Sequence, residues 1–451
     1  MNKFLLGILS LSLSLAGCAV LGPDTDYTAQ ADQAQLAVSG QAAGDKEPVA
    51  ANTLLNQLLP SAELDSLLQQ AYVANPSLQQ MQLALQISQA QWRQANGGRL
   101  PSAALTVDAS KAEGGEASYA AAFNISWQID LWRTLSDRSQ AAAKSVEQQA
   151  WLYQAAEDSL AAQVMQSWLL LINLQQTIAI GEQRIATLAS NEAFIVQRYR
   201  NGLGSLDDLD SARTSLASAR ASQEANHQAL AEARRSLQRL LGQSEPVPVP
   251  AAEYPEVLLP LADLPEQRLR LRPDLLAAYA AIEAADFTSR AAYNDLLPSL
   301  NLQAALSDVA SNPRDALLTD PVWSLLANLT APLFNGGQLR ASAKIAELQA
   351  AESYQSYRDT LLTAVTEVGN ALDLEQSLGR QQSYTESALA SAHNTLKQYQ
   401  NSYRSGLVSV LDLLLVQQTS YDLESELNNL IYQRLSNRIT LGLALGLGVE
   451  R

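Results

Sequence analysis

A chain with a single cysteine, two histidines and three methionines has little from which to build a thiol nucleophile, a disulfide frame or a soft-metal site. His227 and His393 stand alone on polar stretches, without partner ligands at metal-binding spacing. No phosphate-cradling loop or nucleophile elbow occurs, and adjacent carboxylates such as Asp207 and Asp208 need not face each other. An enzyme, with any cofactor, is therefore not expected. Basic residues are also scarce, 30 Lys plus Arg against 46 Asp plus Glu, which argues against nucleic acid as a partner and leaves a negative potential that weakly favours cationic solutes. Phenylalanine is rare while Ala, Leu and Gln abound, the composition of closely spaced helices rather than of a globular core. The apolar run from Phe4 to Leu15 is too short to span a bilayer.

What is there is written twice. Tyr199-Arg-Asn-Gly202-Leu-Gly-Ser-Leu-Asp-Asp208-Leu209 returns as Tyr403-Arg-Ser-Gly406-Leu-Val-Ser-Val-Leu-Asp412-Leu413. Asn75-Pro76 and Leu100-Pro101 recur as Arg272-Pro273 and Leu297-Pro298, and Leu240-Leu241-Gly242 as Ala444-Leu445-Gly446. Both halves thus share one order of elements, as duplication of a supersecondary unit produces. In each, very long helical stretches combine with two short alternating strands, which favours a conduit over an enzyme with one pocket.

Helical pattern begins near Ser61, and Ala62 to Asn96 reads as one helix, stopped by Gly97-Gly98 and Pro101. Two strands follow; in the second, Tyr119, Ala121, Phe123, Ile125, Trp127 and Ile129 share one face and Asn124, Ser126 and Gln128 the other, the period of a strand between lipid and water. In the second copy Leu300, Leu302, Ala304 and Leu306 alternate with Ser299, Asn301, Gln303 and Ser307; Trp323, Leu325, Ala327, Leu329 and Leu333 alternate with Ser324, Asn328 and Thr330. Aromatics gather near strand ends, where Trp and Tyr favour a membrane boundary. Residues 133–200 and 338–403 are nearly unbroken helical stretches, each on the order of 100 Å at about 1.5 Å per residue. Each runs to a Tyr-Arg-x-Gly string where Gly202 or Gly406 permits reversal. On the first returning helix Leu209, Ala212, Leu216, Ala219, Leu230, Ala233, Leu237 and Leu240 hold a coiled-coil seam interrupted by Gln223 and Asn226. Leu413, Val416, Leu423, Leu427, Leu430 and Leu441 do so on the second, with Ser420, Arg434 and Asn437 as polar interruptions.

Lys3, the apolar run and Leu15-Ala16-Gly17-Cys18 resemble a bacterial lipoprotein signal, which implies lipidation (palmitate) of the Cys18 thiol and, with Ala19 after it rather than Asp, an outer-membrane destination. Residues 19 to about 60, rich in Gly, Pro, Ala and Asp, read as a tether with little regular structure. The order implies a signal peptide (1–17), a lipidated tether or equatorial segment (18–60), a first repeat (61–242), a proline-rich connector (243–265), a second repeat (266–446) and a C-terminal end (447–451). The fold class is an α+β membrane protein with a shared transmembrane β-barrel, continued by a long periplasmic α-helical coiled-coil barrel. Four strands per chain cannot close into a membrane barrel, and an open edge leaves unpaired backbone groups in hydrocarbon, so chains must pool their strands. About eight strands leave an interior filled by side chains, so geometry prefers three or more copies.

Arg272-Pro273-Asp274-Leu275, Leu297-Pro298-Ser299-Leu300, Pro332-Leu333-Phe334-Asn335-Gly336-Gly337 and both Tyr-Arg-x-Gly strings resemble the signatures of the outer membrane factor family (TolC-like and OprM-like channels), lipoprotein efflux branch, over almost the whole mature chain. The resemblance implies a homotrimer in outer-membrane lipid, a multidrug-resistance type of efflux role, and docking to a periplasmic adaptor and an inner-membrane pump, most often of the resistance-nodulation-division type. It also implies a belt formed by the termini and connector. The chain departs from the family at Asp130-Leu131-Trp132-Arg133-Thr134, which lacks the usual glycine, and in a C-terminus that leaves little tail for the belt. At the tips, Asp412 would form a ring of like charge backed by Leu411 and Leu415, attracting cations. The family's latch implies a bond from Tyr403 to Asp208, with the assisting arginine replaced by Val408. The plainer reading is that Asp208 and Asp412 are helix N-terminal carboxylates favoured by the dipole. Rival functions are a lipid-anchored periplasmic coiled-coil tether without a pore and a type I secretion exit duct.

Overall fold

In a computed structural model of the chain, the described residues are 26–40, 54–248, 250–251, 253–258, 269–315 and 319–449. Cys18 and the signal segment lie outside them. The helices are α1 (Tyr27–Gly40), α2 (Ala62–Ala74), α3 (Pro76–Gly97), α4 (Thr134–Arg200), α5 (Leu206–Leu240), α6 (Pro273–Asn294), α7 (Gln338–Arg404) and α8 (Val410–Ala444). The strands are β1 (Ser102–Lys111), β2 (Ala117–Ile129), β3 (Ser299–Ala310) and β4 (Val322–Thr330). The chain divides into two compact units, each containing segments of both repeats.

The first unit holds α1 and a four-stranded antiparallel sheet ordered β1-β2-β3-β4, so the hairpins of the two repeats meet at the β2–β3 seam. Register places Leu105, Phe123, Leu306 and Trp323 in one row and Ala103, Ile125, Ala304 and Leu325 in the next. On the opposite face Ser102, Ser126 and Gln303 align, as do Gln128, Asn301 and Asn328. One face is therefore apolar and the other mostly polar, with Leu326 beside Gln303 as an apolar exception, broadly as alternation in the sequence requires. β1 and β4 are free edges within the chain. At the loop end of the apolar face Asp308 accepts from Thr319 N at 2.9 Å, Thr319 Oγ1 at 3.3 Å and Asp320 N at 3.1 Å, which satisfies a buried carboxylate that would otherwise be costly. β4 stops at Thr330, short of Leu333, because Pro332 has no N–H to extend the ladder.

The N-terminal part corrects two expectations. Residues 27–40, which read as tether, form α1: Asp26 caps it, accepting from Thr28 Oγ1 at 2.6 Å and Ala29 N at 3.0 Å, and Tyr27 packs against Tyr354 with ring centroids 5.9 Å apart. Its apolar face is narrow, Ala31 being the buried residue, so no periodicity announces it. Ala62 to Asn96, which reads as one helix, is α2 and α3, broken at Asn75. A residue before proline is pushed out of the helical region, and Asn75 sits at ψ 121° while its side chain accepts from Leu78 N at 3.0 Å, starting α3.

The second unit is built on α5 and α8 and the adjoining parts of α4 and α7. Leu209, Ala212, Leu216, Ala219, Ala233 and Leu237 are buried along α5 as the seam requires, and so is the interruption Gln223, whose Nε2 donates to Ile178 O at 3.0 Å. On α8, Leu413, Leu430 and Leu441 are buried, but Val416, Leu423 and Leu427 are half-buried while Gln417, Ser420, Asn428 and Asn437 go under. Three of these four polar residues are partnered as follows: Asn437 Nδ2 donates to Ala371 O at 2.9 Å, Asn428 Nδ2 to Asn173 O at 3.0 Å, and Gln417 Oε1 accepts from Asn191 Nδ2 at 2.8 Å. Satisfied polar groups in a seam fix its register, since a slip leaves them unpaired.

A core cluster in this unit joins Leu55, Leu58, Leu64, Trp168, Leu237 and Leu447 with Val247 and Val257 of the connector. Backbone bonds stitch it: Leu55 N to Gly448 O at 2.8 Å and Leu258 N to Leu58 O at 2.9 Å. Leu447 and Gly448 thereby join this cluster. Glu375 anchors the connector indirectly, its Oε1 accepting from Arg434 Nε at 2.9 Å and Arg438 Nη2 at 3.1 Å while Arg438 Nη1 donates to Val257 O at 2.6 Å.

Candidate functional site

Two places carry the functional expectations: the reversals at Gly202 and Gly406, and the turns that convert β2 and β4 into long helices. At each reversal the helix ends in a left-handed glycine, φ 72° at Gly202 and 73° at Gly406, with open space on the side where a Cβ would point. The glycine amide donates to the carbonyl of Tyr199 or Tyr403, and the next amide reaches back to Arg198 O or Ser402 O. The returning helix then opens on a reciprocal capping box. Ser205 Oγ accepts from Asp208 N at 3.0 Å and Asp208 Oδ2 from Ser205 N at 3.2 Å; Ser409 Oγ accepts from Asp412 N at 3.1 Å, and Asp412 Oδ2 from Ser409 N at 3.1 Å and Ser409 Oγ at 2.6 Å. The bonds from Ser409 hold the Asp412 carboxyl below the usual carboxylate range. Both aspartates are thus helix-initiating residues, whatever further role they play. The repeated Ser-x-x-Asp spacing is the sequence signal for this pairing, a more specific one than the helix dipole alone.

Tyr403 is buried among Ile195, Leu209, Ala212, Val410 and Leu413. Phe194 meets its ring edge-on at 5.9 Å between centroids, and the Arg198 guanidinium lies 5.5 Å from the ring centre. Burial raises the phenol pKa; Arg198 opposes that rise and the charge of Asp208 adds to it. The cation beside Tyr403 therefore comes from Arg198, which sequence reasoning missed, rather than from the position of Val408. Leu411 and Leu415 are exposed, by 52% and 67%, as are Leu203, Leu206 and Leu407, so both reversals present apolar side chains to their surroundings. Asp412 stands exposed between Leu411 and Leu413.

The strand-to-helix turns are unequal. In the second repeat Gly336 and Gly337 take φ 64° and 82°. In the first, Arg133 adopts φ 65°, the one described non-glycine residue with positive φ, at a penalty of roughly 1–2 kcal/mol. Where the family's glycine is missing, Arg133 itself takes the left-handed conformation, and the turn carries strain. Asp130 secures it, accepting from Leu135 N at 3.0 Å and Ser136 N at 2.8 Å; burial would raise its pKa, but these bonds and the Arg99 charge hold the carboxyl low. Trp132 Nε1 donates to Pro298 O at 2.7 Å, Trp127 Nε1 to Arg99 O at 3.0 Å, and Arg138 pairs with Asp295 at 2.6 Å. An open cavity of about 340 Å³ lies against this turn, lined by Asp130, Trp132, Arg138, Asp295, Pro298 and Pro332.

Among the described residues no group of His, Cys, Asp and Glu could hold a metal ion, and no helix is long and apolar enough to cross a membrane. A two-faced sheet with free edges, leading into paired helices with sharp reversals, defines an outer-membrane channel subunit. The outer membrane efflux protein family model matches residues 67–243 and 264–447, and the chain belongs to that family. It is 27% identical to the cation efflux system protein CusC of Escherichia coli K12 over 97% of this chain and 98% of that one. It is 29% identical to the pyoverdine export outer membrane protein OpmQ of Pseudomonas aeruginosa, covering 86% and 85%. A crystal structure of CusC superposes with a TM-score of 0.80 at 26% identity, covering 90% of this chain and 100% of that chain. As a member of this family of passive transport channels the protein is a channel in the outer membrane, extending into the periplasm, and not an enzyme.

Proposed function

We propose that three copies of the chain pool their sheets into one barrel and serve as the exit duct of a tripartite efflux system, receiving cargo from an inner-membrane pump of the resistance-nodulation-division type through a periplasmic adaptor. The observation that carries this reading is the sheet with one apolar face, one polar face and free edges at β1 and β4, which cannot rest in hydrocarbon until another chain pairs with it. A pore-less tether has no use for such a sheet. Cys18 anchors each copy by its lipid, and the segment boundaries given above divide the chain between anchor, repeats and belt. Cargo is chosen by the pump and adaptor; the relatives' names, cation efflux for CusC and pyoverdine export for OpmQ, span two cargo classes.

The gate lies at the reversals. Asp412 from each copy forms an acidic ring, Leu411 and Leu415 narrow it, and Tyr403 with Asp208 latches the closed tip. Support comes from the exposure of Asp412, an aspartate ionised at neutral pH, and from the Asp208 charge felt at Tyr403. In planar bilayers the assembled channel is expected to prefer cations, and Asp412→Ala to reduce that preference and any block by calcium. Unchanged selectivity would remove the gate while leaving the duct.

A further inference from the structure

The four strands hold three charged residues, and register divides them between the two faces of the sheet. Lys111 and Asp308 stand on the apolar face, while Asp108 alone stands on the polar one, in a row with Ala120 and Val309. Two carboxylates at nearly one height are thus used differently. Asp308, one row away beside Ala121, is buried and accepts from Thr319 N and Asp320 N of the loop that follows it. Asp108 is exposed, and among the described residues it has no hydrogen-bond or ion-pair partner. The rows on either side of it on the same face, Thr106 with Ala122 and Ser110 with Ser118, are uncharged.

In an outer-membrane barrel the apolar face meets lipid and the polar face lines the lumen. β2 leads into the periplasmic helix α4 at one end of the sheet, and Asp108 lies near the other, close to the β1–β2 turn at 112–116, so it belongs to the outer mouth. We propose that Asp108 sets the charge selectivity of the barrel lumen: one carboxylate from each copy forms a ring that admits cationic solutes and turns back anions. This rests on the pooled barrel proposed above and not on the Asp412 ring at the reversals. Rings of carboxylates select cations, and here no basic strand residue shares the face to cancel the charge. A unit charge about 10 Å from an ion's path in water changes the local concentration of that ion roughly two-fold, upward for cations and downward for anions.

The test uses the full-length assembled protein in lipid vesicles at about 0.01 M salt, where screening sets in only beyond about 30 Å. It follows modification of one introduced cysteine by a cationic and an anionic methanethiosulfonate reagent, with the wild type, whose single cysteine is Cys18, as background. Thr106→Cys places the thiol on the polar face, one row from Asp108, and Val107→Cys on the apolar face. Thr106→Cys is expected to react and Val107→Cys to stay protected by lipid. Adding Asp108→Asn to Thr106→Cys should lower the ratio of cationic to anionic rates by about four-fold or more, since the two rates move in opposite directions, and Asp108→Glu should keep the ratio. Asp308→Asn, on the other face, should leave it unchanged. A ratio untouched by Asp108→Asn, or lowered equally by Asp308→Asn, overturns the proposal and leaves the barrel standing. Val107→Cys reacting as readily as Thr106→Cys, or Thr106→Cys reacting with neither reagent, would show that no shared lumen lies on the polar face, and overturns both.

Discussion

Replacing Glu375 with glutamine tests how the connector is held through one atom. The Glu375 side chain is 8% exposed, and its Oε1 is shared by Arg434 Nε at 2.9 Å, Arg438 Nε at 3.2 Å and Arg438 Nη2 at 3.1 Å. Arg434 also donates to Gln382 Oε1 at 3.0 Å, and Arg438 to Val257 O, so both guanidiniums stay in place after the substitution. Glutamine preserves shape and an acceptor but removes the charge, leaving two partly buried cations facing each other. Breaking a buried pair by neutralising one partner costs about 3–5 kcal/mol. The arginines keep 30% and 18% exposure, so water relieves some of this and the lower end, about 3 kcal/mol, is expected. Unfolding of assembled membrane proteins is seldom reversible, so the readout is a rate. Loss of the assembled form at fixed temperature, followed by gel mobility and by fluorescence of the buried Trp168, should accelerate by roughly a hundred-fold if the interaction is absent from the transition state. Lys344→Gln, which breaks an exposed pair with Glu347, should change the rate by less than about three-fold. A Glu375→Gln rate within about three-fold of wild type would refute the argument that this charge holds the connector.

Further outcomes follow from single side chains. A Cβ at Gly242 would run into the carbonyl of Ala74, and φ there is 63°, so Gly242→Ala should abolish accumulation of assembled channel, read by immunoblot of unheated samples. Gly202→Ala and Gly406→Ala meet nothing within 4 Å and should each lose only about 1–2 kcal/mol in the same thermal assay, from backbone strain alone. Tyr254→Phe removes a hydroxyl that donates to Asn428 Oδ1 at 2.8 Å and accepts from Asn173 Nδ2 at 3.1 Å; a loss of about 1–2 kcal/mol is expected, and the wild-type phenol, pushed up to about 12 by burial, should titrate among the last tyrosines in ultraviolet difference spectra, together with Tyr279. Burial raises the Asp158 pKa to about 6, so the folded state binds its proton more tightly than the unfolded chain does; that contribution is full below the ordinary value of 3.8 and is lost as pH rises through about 6. Asp158→Asn should flatten thermal stability between those limits, and a dependence unchanged in the variant would place its origin elsewhere.

Much of the fold is legible in the sequence because its cause is local and repeated. Alternation from Tyr119 to Ile129 and from Leu300 to Leu306 sets the two faces of the sheet, and the duplicated glycines mark both reversals. The Asn75 break is written as well, since a residue before proline leaves the helical region, but the uninterrupted apolar spacing on either side masks it. Other features depend on groups far apart in the chain. Gln223 and Asn437 read as interruptions of a seam, and only their partners Ile178 O and Ala371 O reveal them as part of it. Arg198 gives no signal, because its meeting with Tyr403 joins the ends of two separate helices. The strain at Arg133 is half visible: the missing glycine can be read, and the choice between a new turn and a forced one cannot.

On the proposed pooling of sheets, the raw margins at β1 and β4 make every copy answerable to its neighbours. A variant with a proline in the middle of β1 could still offer β4 to the next chain, occupy a place in the growing ring, and leave it unable to shut. Such a copy, expressed beside the intact gene, would do more harm than a deletion, because it spoils the good subunits it joins.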